Sequence, residues 1–258
     1  MMGSPLKGQV SFDTHGWVTF ENYVNGRRGN VDLNRSHRSE FIGIVDLVTI
    51  RKFTVIMTLG NTTDVAKIPG GMKYLDRITY TYSYGGRFDL GRWVLRGDYH
   101  HDCIHLINRP ELNGSTWWNS YKFQFGSRGA FYLYLPQTYS RQKDGLGRHF
   151  NMRVSVSTYR EAGNTLRSGQ NHSYQYEISN LLRYRLGQYG RMMAFVDLNQ
   201  RLWLNRDKTE EYKGELTLNL MFRGREQFVG LYYEYHFHDT FVKDREDGLG
   251  SLGLKILF

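Results

Sequence analysis

The run from Arg92 to His105, RWVLRGDYHHDCIH, gathers the side chains of this chain best suited to chemistry near neutral pH. His101, Cys103 and His105 stand at i, i+2 and i+4, so on an extended strand they project from one face. A histidine beside a thiol is the arrangement of a nucleophile with its general base: the sulfur attacks and the imidazole takes the proton. A third group that orients the imidazole completes such a site. Asn119, in the following segment STWWNSYKFQF, supplies an amide for that role. A hairpin centred near Pro110 sets opposite each other residues whose numbers sum to about 220, and so brings Asn119 across from His101.

The same side chains admit other chemistry. His101, Cys103 and His105 carry donor atoms for zinc or another borderline metal, with a fourth ligand unseen. His100 and Asp102 lie out of phase with them and face the opposite way, where they can join His236 and His238 in a polar network. The histidines also suit an interfacial band, where an amphipathic ring is tolerated. A second His-x-Ser, His37-Arg38-Ser39, with Asn22 ending the segment before it, offers the serine that the first cluster lacks. His172-Ser173 has the wrong spacing, because adjacent residues on a strand point to opposite faces.

All of this depends on strands, and the dominant pattern is strict two-residue alternation. Tyr174, Tyr176, Ile178, Asn180, Leu182, Tyr184 and Leu186 form one face of a segment whose other face is Gln175, Glu177, Ser179, Leu181, Arg183 and Arg185. Leu216, Leu218, Leu220 and Phe222 oppose Lys213, Glu215, Thr217, Asn219 and Arg223 in the same way. Short turns at Arg51-Lys52, Leu90-Gly91, Gln188 to Gly190 and Gly224 to Glu226 alternate with longer polar connections, which describes an up-and-down antiparallel meander. Thirteen segments are discernible, beginning near Val10, Phe41, Phe53, Arg77, Trp93, Thr116, Ala130, His149, Ser173, Met192, Tyr212, Phe228 and Leu249. A closed meander with both ends on one side needs an even count. The loop alternation slips between Ala130 and Gly163, which makes the Ala130 segment the one to discard and leaves twelve strands, with fourteen the alternative.

Composition agrees. Aromatics make up 15% of the 258 residues, with 28 Gly, 4 Pro and one Cys, which excludes disorder, an internal disulfide framework and a Cys-based structural zinc site. No run of about 18 apolar residues marks a transmembrane helix. Negative mean hydropathy suggests a soluble protein at first sight, and a β-sandwich or soluble barrel accounts for alternation alone. Aromatics near segment ends and dense opposite charges on the polar faces favour instead a single barrel, spanning 1–258, whose apolar faces meet lipid. Met1 to Gly8 lacks an apolar signal core: either no signal exists or one was removed, and the stretch reads as a start outside the barrel.

The opposite faces then line the lumen. Basic candidates are Arg77, Arg96, Lys122, Arg153, Arg183, Arg185, Arg201, Lys213, Arg223 and Lys255; acidic ones are Glu40, Asp46, Asp98, Asp102, Glu177, Asp197, Glu215 and Glu234, with His100 and His236 beside them. Near balance in a narrow interior favours cross-linking over a wide channel. The net charge of +9 falls to loop residues such as Arg27, Arg28, Arg35, Arg38, Arg141, Lys143, Arg206 and Lys208, suited to the phosphates of lipopolysaccharide. No nucleic-acid-binding signature accompanies the charge.

The final segment, with Leu252, Leu254, Ile256 and Phe258 alternating to an aromatic end, resembles the last strand of Gram-negative outer-membrane β-barrels. That resemblance implies an outer-membrane location and recognition of Phe258 by the barrel-assembly machinery. The His101, Cys103 and Asn119 constellation, with its Trp118-Asn119 step, resembles outer-membrane phospholipase A, a twelve-stranded barrel with a lipid-facing His-x-Ser and Asn. It departs from that family in having Cys103 where the serine stands and in lacking the glycine-containing continuation. The expectation is therefore an outer-membrane barrel with a largely filled lumen, acting as a narrow channel or as a structural, lipopolysaccharide-contacting protein. The alternative is a lipid acyl hydrolase using His101, Cys103 and Asn119, for which the resemblance implies calcium as the cofactor.

Overall fold

The computed structural model describes residues 13–25, 35–67, 73–107, 116–131, 145–161, 171–205, 210–225, 227–238 and 249–258. They form twelve strands: β1 (Asp13–Asn25), β2 (Arg35–Ile50), β3 (Phe53–Lys67), β4 (Lys73–Leu90), β5 (Trp93–Leu106), β6 (Thr116–Ser127), β7 (Gly145–Glu161), β8 (Asn171–Tyr189), β9 (Met192–Asn205), β10 (Glu210–Arg223), β11 (Phe228–His238) and β12 (Leu249–Leu257). Every strand pairs with its sequence neighbours and β1 pairs with β12, so the sheet closes on itself. Where a further segment is discernible at Ala130, Arg128–Phe131 form a single helical turn, α1, after β6, and residues 132–144 lie outside the described residues. The twelve paired strands make the expected even count and put both ends of the barrel beside the short turns.

Those turns explain themselves locally. The β2–β3 and β8–β9 hairpins need a residue at positive φ, and Arg51 (56°) and Gly190 (57°) occupy it. From there the pleat sorts side chains by parity. Phe20, Phe41, Leu59, Leu95, Phe123, Ile178, Leu218, Leu231 and Leu252 all point outward and are exposed. An apolar surface on this scale is not that of a soluble monomer; surrounded by hydrocarbon it is at home.

The interior has two tiers. Toward the short turns, Met193, Phe195, Met221, Phe228 and Leu257 pack into a buried apolar cluster against which Trp17 leans. Ile56 and Val94 are buried on other strands of the wall. Above it lie charges. Arg183 makes a bidentate pair with Asp197 (Nε–Oδ1 2.8 Å, Nη2–Oδ2 2.9 Å), and Asn219 donates to the same carboxylate at 3.2 Å. The Arg183 guanidinium also lies 5.6 Å from the centre of the Phe195 ring, which ties the tiers together. Arg87 pairs with Asp46 at 3.0 Å, Arg96 with Asp98 at 3.2 Å, Arg77 with Asp64 at 3.7 Å and Arg201 with Glu215 at 3.5 Å. Arg153 pairs with Glu177, and His100 with Asp98. Glu215 also accepts from Asn199 and Glu234 from Thr217. Arg185 donates to Gln188 near the turn.

Lumen residues thus stand where alternation puts them, with two corrections. Arg38, assigned to a loop, faces inward on β2 within 3.9 Å of Asp64 and 3.8 Å of Glu40. Arg223, assigned to the lumen wall, is exposed at the rim of the short-turn end, because it is the last residue of β10. The apolar tier was not anticipated, although the inward parity of Met193, Phe195, Met221 and Leu257 signals it. The side chains of His236, His238, Lys213 and Arg35, and the loop residues Arg27, Arg28, Arg141, Lys143, Arg206 and Lys208, lie outside the described residues.

Closure is reinforced from inside. Tyr232 on β11 reaches across Gly253 of β12 to donate to Glu21 Oε2 of β1 at 3.1 Å. A Cβ at Gly253 would lie 2.6 Å from the Tyr232 hydroxyl, so only glycine leaves the path open. For the buried pair, Arg183→Met alone should lower unfolding stability in detergent by about 3–5 kcal/mol, and Arg183→Met with Asp197→Leu should regain most of it. Equal losses in the single and double variants would show that the pair is not what matters there.

Candidate functional site

The outward face of β4, β5 and β6 near the long-loop end holds the side chains singled out in the sequence. Register sets Tyr82, His101 and Asn119 in one row across the three strands, and Tyr80, Cys103 and Trp117 in the next. Tyr84, Tyr99 and Tyr121 make the row below. The hairpin therefore has the expected alignment of His101 with Asn119, and all of these residues share the parity of the exposed Leu95 and Trp93.

Two hydrogen-bonded pairs result. Asn119 Oδ1 accepts from the Tyr99 hydroxyl at 2.7 Å and from His101 Nδ1 at 2.7 Å. A carbonyl oxygen only accepts, so the proton sits on Nδ1 and His101 Nε2 is left as the basic nitrogen. The His101 ring stacks on Tyr82 with centroids 4.6 Å apart, and this fixes its plane. The second pair is Cys103 Sγ with His105 Nε2 at 3.2 Å, the His105 ring meeting Tyr80 edge-on at 5.7 Å. Sequence reasoning made His101 the base for the thiol; the thiol's hydrogen-bond partner is His105 instead. His101 has the orienting amide that was expected of Asn119. The side chain of Trp118 lies outside the described residues.

A metal does not fit this geometry. Among the described residues no three His, Cys, Asp or Glu side chains converge to hold an ion, so His101, Cys103 and His105 share a face without forming a cage. The carboxylates nearest to them in sequence, Asp98 and Asp102, face the lumen. There Asp98 is engaged by Arg96 and His100, and Asp102 accepts from Thr81.

The second His-x-Ser also lies on the outer face. Asn22 stands opposite His37, and Ser39 opposite Phe20 and Thr63, all on the outer face. They border a groove of about 480 Å³ whose apolar walls are Phe20, Val65, Leu231, Leu252 and Leu254.

Comparison with known proteins addresses the fold. No family model matches the chain, and no curated protein resembles it in sequence. Among solved structures, the β domain of the Bordetella autotransporter BrkA is 13% identical, with 95% of this chain and 98% of that one covered and a TM-score of 0.50. The translocator domain of the autotransporter NalP from Neisseria meningitidis is 14% identical, with 95% and 87% covered and a TM-score of 0.45. Outer membrane phospholipase A from Escherichia coli is 12% identical, with 96% and 94% covered and a TM-score of 0.44. The fold is that of an outer-membrane β-barrel. Its apolar belt, closed sheet and polar interior are those of a protein that resides in that membrane.

The placement of Cys103 has a direct readout. In vesicles an uncharged, lipid-partitioning maleimide should label this single thiol, while a sulfonated, membrane-excluded maleimide labels it far more slowly. Equal labelling by both would put the thiol in water and remove the site from the lipid face.

Proposed function

We propose that this chain is a non-conducting outer-membrane barrel whose working surface is its lipid-facing wall, in contact with phospholipid and lipopolysaccharide. The observation that carries this reading is the filled interior. Phe195, Met221 and Leu257 are almost wholly buried within the lumen, and above them the Asp98 side chain has no exposure at all. Side chains lining an open aqueous pore are wet; these are not. The narrow-channel reading would need water along the axis where the apolar tier stands. In planar bilayers the protein should give no unitary conductance over a range of potentials. Shaving the apolar tier with Phe195→Ala and Met221→Ala should then produce small, brief openings. Well-defined steps from the unaltered protein would overturn the sealed-lumen reading.

A second reading, acyl-ester hydrolysis at the lipid face, is favoured by the hydrogen bond between the Cys103 thiol and His105. In it the Cys103 sulfur attacks the ester carbonyl carbon and His105 takes the thiol proton. The alcohol leaves with a proton returned from the imidazole, and water then cleaves the thioester. The likeness to a phospholipase structure adds nothing to this, since it extends to the fold alone. Phospholipid cleavage in detergent should fall by roughly 10²-fold or more on Cys103→Ala and on His105→Ala. Activity that survives both but vanishes with Ser39→Ala would move the chemistry to the groove beside Asn22 and His37. No cleavage under any condition leaves the non-catalytic barrel standing alone.

A further inference from the structure

The short-turn end carries a built cluster of arginines that no lumen pairing accounts for. The β8–β9 and β10–β11 turns lie side by side, joined by the Arg223 amide donating to the Arg191 carbonyl at 2.8 Å. Between them is a concavity of about 630 Å³ lined by Gln188, Gly190, Arg191, Arg223, Gly224 and Arg225. The turn backbone is pinned: Gln188 Nε2 donates to the Gly190 carbonyl at 2.8 Å and the Gly224 amide to the Gln227 carbonyl at 2.8 Å. Arg191, Arg223 and Arg225 are exposed, and among the described residues no carboxylate pairs with any of them. The interior arginines behave differently, since Arg77, Arg87, Arg96, Arg153, Arg183 and Arg201 each have an acidic partner. Three like charges lining one hollow repel one another, and an anion there offsets that repulsion.

We propose that this hollow binds the phosphate of an anionic phospholipid in the leaflet that the short turns face. The site stands where the apolar belt ends: outward-facing Leu186, Tyr189 and Phe222 lie beside it, with Tyr189 83% exposed. A lipid whose chains lie along those side chains brings its headgroup phosphate to the guanidinium forks, which match phosphate oxygens two at a time. A free phosphate in solution gains the charge pairing without the chain contacts, so the lipid is the better occupant. Exposed Arg51, Lys52 and Arg92 on the other turns of this end make the surroundings positive and enrich anionic lipid around the rim.

The test is competitive lipid retention by the detergent-solubilised full chain, read by native mass spectrometry with equimolar phosphatidylglycerol and phosphatidylcholine. Each basic residue near an anionic lipid is worth about a fivefold preference, so the unaltered protein should favour phosphatidylglycerol by about tenfold or more. Arg191→Gln, Arg223→Gln and Arg225→Gln together should bring that preference close to parity. A control with Arg51→Gln, Lys52→Gln and Arg92→Gln removes the same charge from other turns and should leave it within about twofold of the original. All six positions are exposed, and an unchanged far-ultraviolet spectrum verifies that each variant is folded. Equal loss in both triple variants would show diffuse charge rather than a site. Displacement of phosphatidylglycerol by inorganic phosphate alone would show that the hollow takes a free anion. No preference in the unaltered protein would overturn the proposal outright.

Discussion

Everything in this molecule follows from the pairing of β1 with β12. In hydrocarbon a backbone amide or carbonyl finds no water, so a sheet edge inside a membrane is prohibitively costly, and only closure removes it. Here closure runs from Trp17 opposite Leu257 to Tyr23 opposite Ser251, and continues through the reciprocal bonds between Gly16 and Phe258. With no edge left, every strand has one wall toward lipid and one toward the axis. The two faces of each strand are then selected by two different solvents, and the period of two seen in the sequence is the record of that selection.

The fold was therefore legible to the extent that it is set by alternation and turn chemistry. The inward charges of Arg96, Asp98, Arg183, Asp197, Arg201, Glu215 and Glu234 could be assigned by parity, because on a strand parity leaves no third choice. The Ala130 segment was set aside on loop alternation although Ala130, Tyr132 and Tyr134 among apolar neighbours give an alternating pattern; the chain turns helical at Arg128–Phe131, and the closed barrel has the twelve strands that remain. Arg38 and Arg223 were misassigned because strand ends fall within a residue or two of loops, and a strand two residues longer or shorter exchanges lumen for rim.

The site was legible in its register and not in its bonds. Opposing numbers that sum to a constant brought His101 to Asn119, which is a backbone property. Which histidine holds the Cys103 thiol is a matter of rotamers and of stacking on Tyr80 and Tyr82, and these come from β4, a strand that the motif does not include. The groove at Asn22, His37 and Ser39 was not legible for a related reason. It is bordered by residues of β1, β2 and β3 on one side and by Leu231, Leu252 and Leu254 of β11 and β12 on the other, a neighbourhood that exists only once the barrel has closed.

The reach of Tyr232 over Gly253 to Glu21 bears on how this protein assembles. Its ends are separated by nearly the whole chain, so this contact cannot be nucleated locally, as a hairpin can, and its formation waits on the docking of the terminal strands. Interactions that form after the rate-limiting step of folding slow unfolding without slowing folding. The lumenal bond between Tyr232 and Glu21 thus belongs to the late steps of assembly, and Gly253 beneath it leaves the space it needs.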